Sequence, residues 1–304
     1  MGKIAFVFAG QGSQTVGMGL DLYNYSDKVK SLFDMAETKR SGIKDLCFNS
    51  EKEQLDITVN TQPAVFLADL ACSEVLSEQG VEADGVAGFS LGEIPAACYT
   101  GLMDRSQAFD FVCYRAQAMQ DCSEKYRGNM FAVLKLNESD VESICSGLEL
   151  TYPVNYNCPG QTVVACAEES AGALQQRVAE AGGKAVRLSV GGAFHSPLMD
   201  AASESISQYL EKESLNAMRV PLYSNATSQL YDNSKQLLAK QVNRPVLWQK
   251  EIKHMIDDGY DSFVEVGPGK TLSGFISKID SNVRVYNVSG LETLENTVRE
   301  LKHA

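Results

Sequence analysis

Hydrophobic positions along this chain form short uninterrupted runs that alternate with longer amphipathic segments. The short runs predict β-strands over residues 4–8, 86–89, 221–223, 262–266 and 284–287. In the segments between them apolar residues recur at helical spacing, which predicts helices over residues 62–79, 106–124, 196–212, 248–258 and 291–302. Strands that alternate with helices in this way are typical of an α/β protein with a mainly parallel sheet.

One stretch has a different order of elements. The pattern predicts strand, helix, strand, strand, helix and strand over residues 129–136, 138–146, 151–157, 161–167, 170–181 and 185–190. This order is that of a ferredoxin-like split βαβ unit. We therefore predict a small ferredoxin-like subdomain over residues 126–190, inserted into a core of residues 1–125 and 191–304, with a cleft between the two.

Composition excludes several classes of protein. Of the 304 residues 44% are hydrophobic and 22% are charged, and no apolar run approaches the length of a membrane span. A net charge of −12 opposes binding to nucleic acid. The eight cysteines contain no C-x-x-C pair and there are three histidines, so we expect reduced thiols in a cytoplasmic protein and no metal centre. We expect no cofactor, no nucleic-acid partner and no membrane partner.

The sequence GFSLG at residues 88–92 is the sharpest chemical signal. It follows a predicted strand and opens a helix, which is the context of a nucleophile elbow: the glycines permit a tight turn that exposes the Ser90 hydroxyl. The alternative is an ordinary glycine-rich turn between a strand and a helix. The flanking elements favour a nucleophile at Ser90, with the following helix N-terminus stabilising negative charge nearby.

A serine nucleophile needs a base, and the chain has three histidines. His303 stands at the end of the sequence, where chains fray, and His254 lies off the apolar stripe of its predicted helix, as a surface residue does. His195 lies in a glycine-containing loop that runs into a helix. It could simply cap that helix, but the serine elbow favours a pair in which His195 is the base of Ser90.

A third signal is the glycine-rich loop after the first predicted strand. Gly10, Gly12 and Gly17 do not have the spacing of a dinucleotide site, and no lysine stands where a P-loop requires one. Residues 267–271 end like a P-loop, but Val264 occupies the position of its first glycine. The loop around Gln11 is instead expected to present a backbone N–H to an oxyanion at the edge of the sheet that carries Ser90.

Together these blocks resemble the malonyl-CoA:acyl carrier protein transacylases over nearly the whole chain. The resemblance is carried by FAGQGSQ at 8–14, TQPA at 61–64, GFSLGE at 88–93, Arg115, VNYNCPGQ at 154–161, FHS at 194–196 and EVGPG at 265–269. It implies a hydrolase-like core with the ferredoxin-like insert. It also implies ping-pong transfer of a malonyl group from malonyl-CoA to the pantetheine thiol of acyl carrier protein in fatty acid biosynthesis.

The resemblance also implies individual roles. Ser90 would be the nucleophile and His195 its base, the N–H groups of Gln11 and Leu91 would bind the oxyanion, and Arg115 would clamp the malonyl carboxylate. Arg115 lies in an otherwise apolar part of a helix, so an internal ion pair is the alternative. The family's histidine-orienting carbonyl lies in a Pro-Val-x-Trp segment, which corresponds here to Leu247 in PVLW. This sequence has Phe89 where family members usually have histidine.

Other functions remain open at this point. A serine esterase or thioesterase would share Ser90 and His195 but release its product to water, and a non-catalytic docking module would keep a relict site. A free-standing acyltransferase that serves a polyketide synthase would have nearly the same sequence. An acidic carrier protein would need a local basic patch, and Lys184 and Arg187, just before the His195 loop, are candidates for it.

Overall fold

The computed structural model describes the backbone of residues 2–303 and the side chains of residues 2–302. The strands in this part of the chain are β1 (Lys3–Phe8), β2 (Gly85–Gly88), β3 (Gly128–Leu134), β4 (Thr151–Cys158), β5 (Gln161–Ala167), β6 (Lys184–Arg187), β7 (Tyr260–Val266) and β8 (Arg284–Val288). The helices are α1 (Leu20–Tyr25), α2 (Asp27–Lys39), α3 (Ile43–Phe48), α4 (Lys52–Leu55), α5 (Thr58–Glu78), α6 (Glu93–Tyr99), α7 (Arg105–Lys125), α8 (Glu138–Ser146), α9 (Ala171–Glu180), α10 (Asp200–Glu211), α11 (Ser234–Lys240), α12 (Trp248–Asp257), α13 (Thr271–Ile279) and α14 (Leu291–His303).

The first sheet is parallel and has the strand order β2-β1-β7-β8. Its central strands β1 and β7 are buried along most of their length because helices cover both faces, as parallel sheets require. Helix α5 is buried around most of its circumference, which explains why its apolar residues are not confined to one stripe. The carboxyl ends of β1 and β2 lie side by side, with Phe8 paired to Gly88, so the loops that follow them meet at one edge.

The second sheet is antiparallel and has the order β4-β5-β3-β6. Helices α8 and α9 pack on one face of it and form a separate small core with Phe131, Val164 and Leu174. The structure is therefore an α/β fold with one mainly parallel and one antiparallel sheet, which confirms the predicted fold class at this level.

Most predicted elements lie within a few residues of the observed ones, but one predicted strand is absent and six helices were not predicted. Residues 221–223 do not form a strand of the sheet, because Leu222 makes only an isolated parallel bridge to Val86. Helices α1 to α4, α11 and α13 were not predicted, and four of these six have seven residues or fewer, too short to show a clear helical period. No helix among the described residues is long and apolar enough to cross a membrane.

Candidate active site

Ser90 lies in a tight turn between β2 and α6. Its φ angle is 54°, in the left-handed region that costs energy for any residue with a side chain. The two flanking glycines make this turn sterically possible: a Cβ on Gly88 would lie 2.0 Å from the carbonyl carbon of Gly92, and one on Gly92 would lie 2.2 Å from the oxygen of Phe8. Here only glycine fits, and the turn raises Ser90 from the edge of the sheet.

The structure brings Ser90 and His195 together, although 105 positions separate them in sequence. Ser90 Oγ lies 2.6 Å from Nε2 of His195. On the other side of the ring, Nδ1 faces the backbone carbonyls of Gln241 at 2.9 Å and Arg244 at 3.2 Å. Since carbonyl oxygens only accept hydrogen bonds, Nδ1 carries the proton and Nε2 is free to accept the hydroxyl proton of Ser90.

The predicted role of Leu247 is wrong. Its carbonyl accepts the backbone N–H of Glu251 at 2.9 Å, as the first hydrogen bond of α12, and its own N–H donates to the Asn225 carbonyl at 2.8 Å. The carbonyls that orient the imidazole come instead from Gln241 and Arg244, a few residues earlier. A carbonyl needs no particular side chain, so the sequence contained no signal for which one lies nearest.

His195 is almost fully buried, at 3% exposure. Its pKa is lowered to about 4, first by burial and then by the positive charge of Arg115, while the two carbonyl hydrogen bonds oppose the shift. The imidazole is therefore neutral at pH 7 and able to accept a proton. A neutral base in contact with a serine hydroxyl is the arrangement needed for nucleophilic catalysis.

Arg115 lies in the middle of α7, 1% exposed, and contacts amides rather than carboxylates. Nη1 donates to Oε1 of Gln62 at 2.6 Å and Nη2 donates to Oε1 of Gln241 at 2.7 Å. Its Nε has no partner among the described residues, and no described carboxylate forms a salt bridge with it. Burial lowers its pKa to about 10, so the guanidinium stays charged at pH 7. Among the described residues, no internal ion pair compensates the charge of Arg115.

The loop after β1 packs directly against the serine turn. The N–H of Phe89 donates to the Phe8 carbonyl at 3.0 Å, and a Cβ on Gly10 would lie 2.6 Å from the Phe89 oxygen. Gln11 follows at once, and its side-chain amide donates to Thr58 Oγ1 at 3.2 Å. Leu91, next to Ser90, is fully buried. The backbones of Gln11 and Leu91 are thus held on adjoining turns at the same edge of the sheet.

A cleft of about 360 Å³ runs from this edge towards the antiparallel sheet. The Gly10–Gln14 loop, Phe89 and Phe275 line one side, and Asn155 and Asn157 line the other. The ring of Phe89 packs edge-on against Trp248 with centroids 5.4 Å apart. The cleft predicted between the two parts of the chain is present, and Phe89 contributes an aromatic wall to it.

Lys184 and Arg187 do not form one patch. Both are exposed on the edge strand β6, but their three-residue separation places them on opposite faces of the strand. Arg187 donates to Oδ1 of Asn129 and lines a surface cavity of about 540 Å³ with Arg127 and Gly191, next to the His195 loop. Lys184 does not line this cavity.

His254 lies apart from this site. His254 is half-buried against Tyr223 and its Nδ1 lies 2.8 Å from the Ser228 carbonyl. The side chain of His303 lies outside the described residues. Sequence reasoning missed Gln241 and Asn225, which hold the imidazole, Arg115 and the serine turn, because neither lies in a recognisable motif.

Comparison with known proteins agrees with this geometry. The sequence model of the acyl transferase domain family matches residues 5–295, so this chain belongs to the acyl transferase family. The malonyl CoA-acyl carrier protein transacylase of Bacillus subtilis is 34% identical to it over 99% of this chain and 98% of that protein. The corresponding protein of Staphylococcus aureus strain MRSA252 is 34% identical over 97% of this chain and 98% of its own length. The resemblance predicted from the sequence is confirmed.

Solved structures give the same result. The malonyl CoA-acyl carrier protein transacylase of Clostridium perfringens superimposes with a TM-score of 0.95 at 34% identity, over 99% of this chain and 98% of that one. A malonyl-transacylase solved in complex with a type II PKS acyl-carrier protein superimposes with a TM-score of 0.94 at 28% identity, over 98% and 99% of the two chains.

Proposed function

We propose that this protein transfers a malonyl group from malonyl-CoA to the pantetheine thiol of acyl carrier protein, through an acyl-enzyme on Ser90, in fatty acid biosynthesis. The observation that carries the proposal is the 2.6 Å contact between Ser90 Oγ and Nε2 of a buried, neutral His195. The names of the relatives given above support the substrates.

The first half-reaction forms the acyl-enzyme. His195 Nε2 takes the hydroxyl proton as Ser90 Oγ attacks the thioester carbonyl, and the N–H groups of Gln11 and Leu91 bind the tetrahedral oxyanion. Collapse of this intermediate breaks the carbon–sulfur bond, and the imidazolium returns its proton to the coenzyme A thiolate. In the second half-reaction the pantetheine thiol gives its proton to His195 and its sulfur attacks the ester carbonyl. Collapse of this second intermediate breaks the bond to Ser90 Oγ, which takes the proton back from His195, and the malonyl thioester leaves on the carrier protein.

Arg115 is proposed to select the malonyl group. Its guanidinium is held in place by Gln62 and Gln241, and its charge is not balanced by a described salt-bridge partner. A planar guanidinium matches a carboxylate through two hydrogen bonds, which a malonyl group offers and an acetyl group does not. The influence of Arg115 on the pKa of His195 supports its nearness to the reacting atoms.

The finer architecture belongs to the same proposal. We assign residues 1–125 and 191–304 to a hydrolase-like core and residues 126–190 to a ferredoxin-like insert. The strand order in this sheet is β4-β5-β3-β6. Along the chain, α8 connects β3 to β4 and α9 connects β5 to β6, and this arrangement supports the insert. A cytoplasmic location is also proposed, and the eight cysteines, all without a disulfide, support it.

Two alternatives differ in the acceptor. The structural neighbour bound to a type II PKS acyl-carrier protein favours a polyketide pathway as the second candidate. A serine esterase or thioesterase would use water instead, and the charged Arg115 beside the site favours the transferase. Arg187, on the cavity next to the His195 loop, is proposed as a carrier-protein contact, together with Lys184 at the far end of the strand.

Mass spectrometry of the intact protein mixed with malonyl-CoA tests the proposal. The parent protein should gain one malonyl group that maps to Ser90, and Ser90→Ala should gain none while keeping its circular dichroism spectrum. Adding acyl carrier protein should discharge the adduct. An adduct of equal yield in Ser90→Ala would overturn the nucleophile, and rapid loss of the adduct to water without an acceptor would favour the esterase.

A further inference from the structure

The serine turn has a strained backbone conformation that its own residues do little to stabilise. Ser90 adopts a φ of 54°, and the glycines on either side allow this conformation without enforcing it. A strained backbone persists only when its surroundings hold it from outside. The position of Ser90 Oγ relative to His195 depends on that backbone, so whatever holds the turn also sets the reacting geometry.

The side-chain amide of Asn225 forms hydrogen bonds to the turn on both sides of Phe89. Its Oδ1 accepts the backbone N–H of Ser90 at 2.6 Å, and its Nδ2 donates to the carbonyl of Gly88 at 2.6 Å. These contacts join residues 135 and 137 positions apart, so they form only when the chain has folded. An amide is the side chain suited to this task, because it accepts at one atom and donates at the other.

Asn225 is itself held from two further elements. Its backbone N–H donates to Oε1 of Glu93 at 2.6 Å, and its Nδ2 also donates to Oε2 of Glu251 at 2.9 Å. Its carbonyl accepts the N–H of Leu247 at 2.8 Å. Asn225 is 1% exposed, and both glutamates are fully buried. Every polar atom of this asparagine is therefore engaged, which fixes its orientation and its amide assignment.

Burying two carboxyl groups beside one asparagine costs free energy unless hydrogen bonds compensate for the lost hydration. Burial raises the pKa of Glu93 to about 7 and that of Glu251 well above its usual range. Tyr231 and Arg115 face Glu93 from other parts of the chain, and both partly oppose the rise in its pKa. These carboxyl groups accept the hydrogen bonds that lock Asn225, so the network connects α6 and α12 to the serine turn.

We propose that Asn225 is a positioning residue that holds the strained turn and so places Ser90 Oγ against His195. This inference rests on the proposed role of Ser90 as the acylated residue. Glu93 and Glu251 support Asn225 in turn. Asn225 does not touch the substrate and acts through the backbone of Ser90, so its loss changes the rate of acylation more than the binding of malonyl-CoA.

The test compares Asn225→Ala and Asn225→Asp with the parent protein, measuring the acylation rate by rapid quench and mass spectrometry over a series of malonyl-CoA concentrations. Asn225→Ala should lower the maximal rate roughly a hundredfold, the scale of an ångström-sized misplacement, with the half-saturating concentration changed less than threefold. Thr297→Val is the matched control, because it removes a hydrogen bond from the buried Thr297 on α14 to the Asn287 carbonyl on β8, away from the site. It should acylate at the parent rate.

Asn225→Asp provides a readout that a merely structural role would not move. A protonated carboxyl group can still accept from the Ser90 N–H and donate to the Gly88 carbonyl, whereas a carboxylate only accepts and so loses the hydrogen bond to Gly88. The acylation rate of this variant should therefore fall reversibly as the pH rises, relative to the parent at each pH. Because this comparison is made within one folded protein, it stands even where Asn225→Ala fails to fold.

The outcomes separate the two proposals. A parent protein that gains no malonyl adduct contradicts the proposed function itself. A parent that acylates normally, with a folded Asn225→Ala variant within threefold of its rate, overturns the role of Asn225. The same conclusion follows where the pH profile of Asn225→Asp runs parallel to that of the parent.

Discussion

Arg115 and His195 are both bound to one residue, Gln241, through different atoms of it. The side-chain oxygen of Gln241 accepts Nη2 of Arg115 at 2.7 Å, and its backbone carbonyl faces Nδ1 of His195 at 2.9 Å. The residue proposed to read the substrate carboxylate and the residue proposed as base are therefore fixed relative to each other. This connection explains why the charge of Arg115 lowers the pKa of His195.

Arg115→Ala should change the choice of substrate. Loss of a charge-assisted pair with the malonyl carboxylate at a desolvated site costs roughly 2 to 5 kcal/mol, so malonyl transfer should fall by about thirtyfold to a few thousandfold. Acetyl transfer should hold steady or rise, because an acetyl group has no second carboxylate to lose. The measurement is the ratio of the two rates of transfer.

Two variants control this experiment. Arg115→Lys keeps a positive charge but loses the bidentate geometry of the guanidinium, so its malonyl transfer rate should lie between those of Arg115→Ala and the parent. Arg105→Ala removes an arginine from the first turn of the same helix, where it pairs with Glu74, and should leave the ratio unchanged. An unaltered ratio in a folded Arg115→Ala protein would mean that another group reads the carboxylate.

The pH dependence of acylation follows from the pKa of His195. The imidazole accepts a proton only while it is neutral, and its pKa is lowered from 6.5 to about 4. The rate at low malonyl-CoA should therefore stay level from pH 8 to below 6 and fall only near pH 4. In Arg115→Ala the acid limb should move to higher pH, since one cause of the lowered pKa is gone. An acid limb near pH 6.5 in the parent would contradict a buried, neutral base.

The same imidazole affects stability, with a sign fixed by linkage. The unfolded chain binds a proton at this histidine below about pH 6.5, whereas the folded protein binds it only near pH 4. The unfolded state therefore holds more protons across this window, and the free energy of unfolding falls as the pH drops through it. Urea titrations of the parent and of His195→Asn between pH 4 and 7 should show a smaller slope in the variant.

Phe89→His should be tolerated, because the turn is shaped by its glycines and the resemblance of the sequence implies histidine at this position. We expect turnover within about tenfold of the parent, roughly 1.4 kcal/mol of barrier. Phe89→Ala is the contrasting variant, because it removes the ring that packs on Trp248 and should lower stability by roughly 2 to 3 kcal/mol. A loss above about a hundredfold in Phe89→His would show that the aromatic wall takes part in catalysis.

Charge reversal of Lys184 and Arg187 together should raise the apparent KM for acyl carrier protein about three- to tenfold and leave that for malonyl-CoA unchanged. The single variants should differ, with Arg187→Glu carrying most of the effect, because Arg187 lines the cavity beside the His195 loop. The matched control reverses Arg299 and Lys302, an exposed pair with the same spacing on α14. Unchanged kinetics with acyl carrier protein would show that both residues are ordinary surface charges with no part in docking.

The sequence by itself determined the elements with a strong period and the residues in local motifs. Long helices such as α7 were predictable because their apolar residues recur at helical spacing, and β1 and β7 were predictable because each contains a short hydrophobic run. The serine turn was predictable because its glycines and its strand-to-helix context are adjacent in sequence. The order of strands and helices over residues 128–187 was predictable from local patterns of the same kind.

Only the tertiary structure decided which distant groups meet. Asn225 and Gln241 lie 135 and 151 positions from Ser90, with which each forms a hydrogen bond. The carbonyls that orient His195 belong to Gln241 and Arg244 rather than Leu247, because every residue carries a carbonyl and packing alone selects the nearest one. Whether Arg115 is paired internally, and which face of β6 carries Arg187, depended likewise on contacts between segments far apart in the chain.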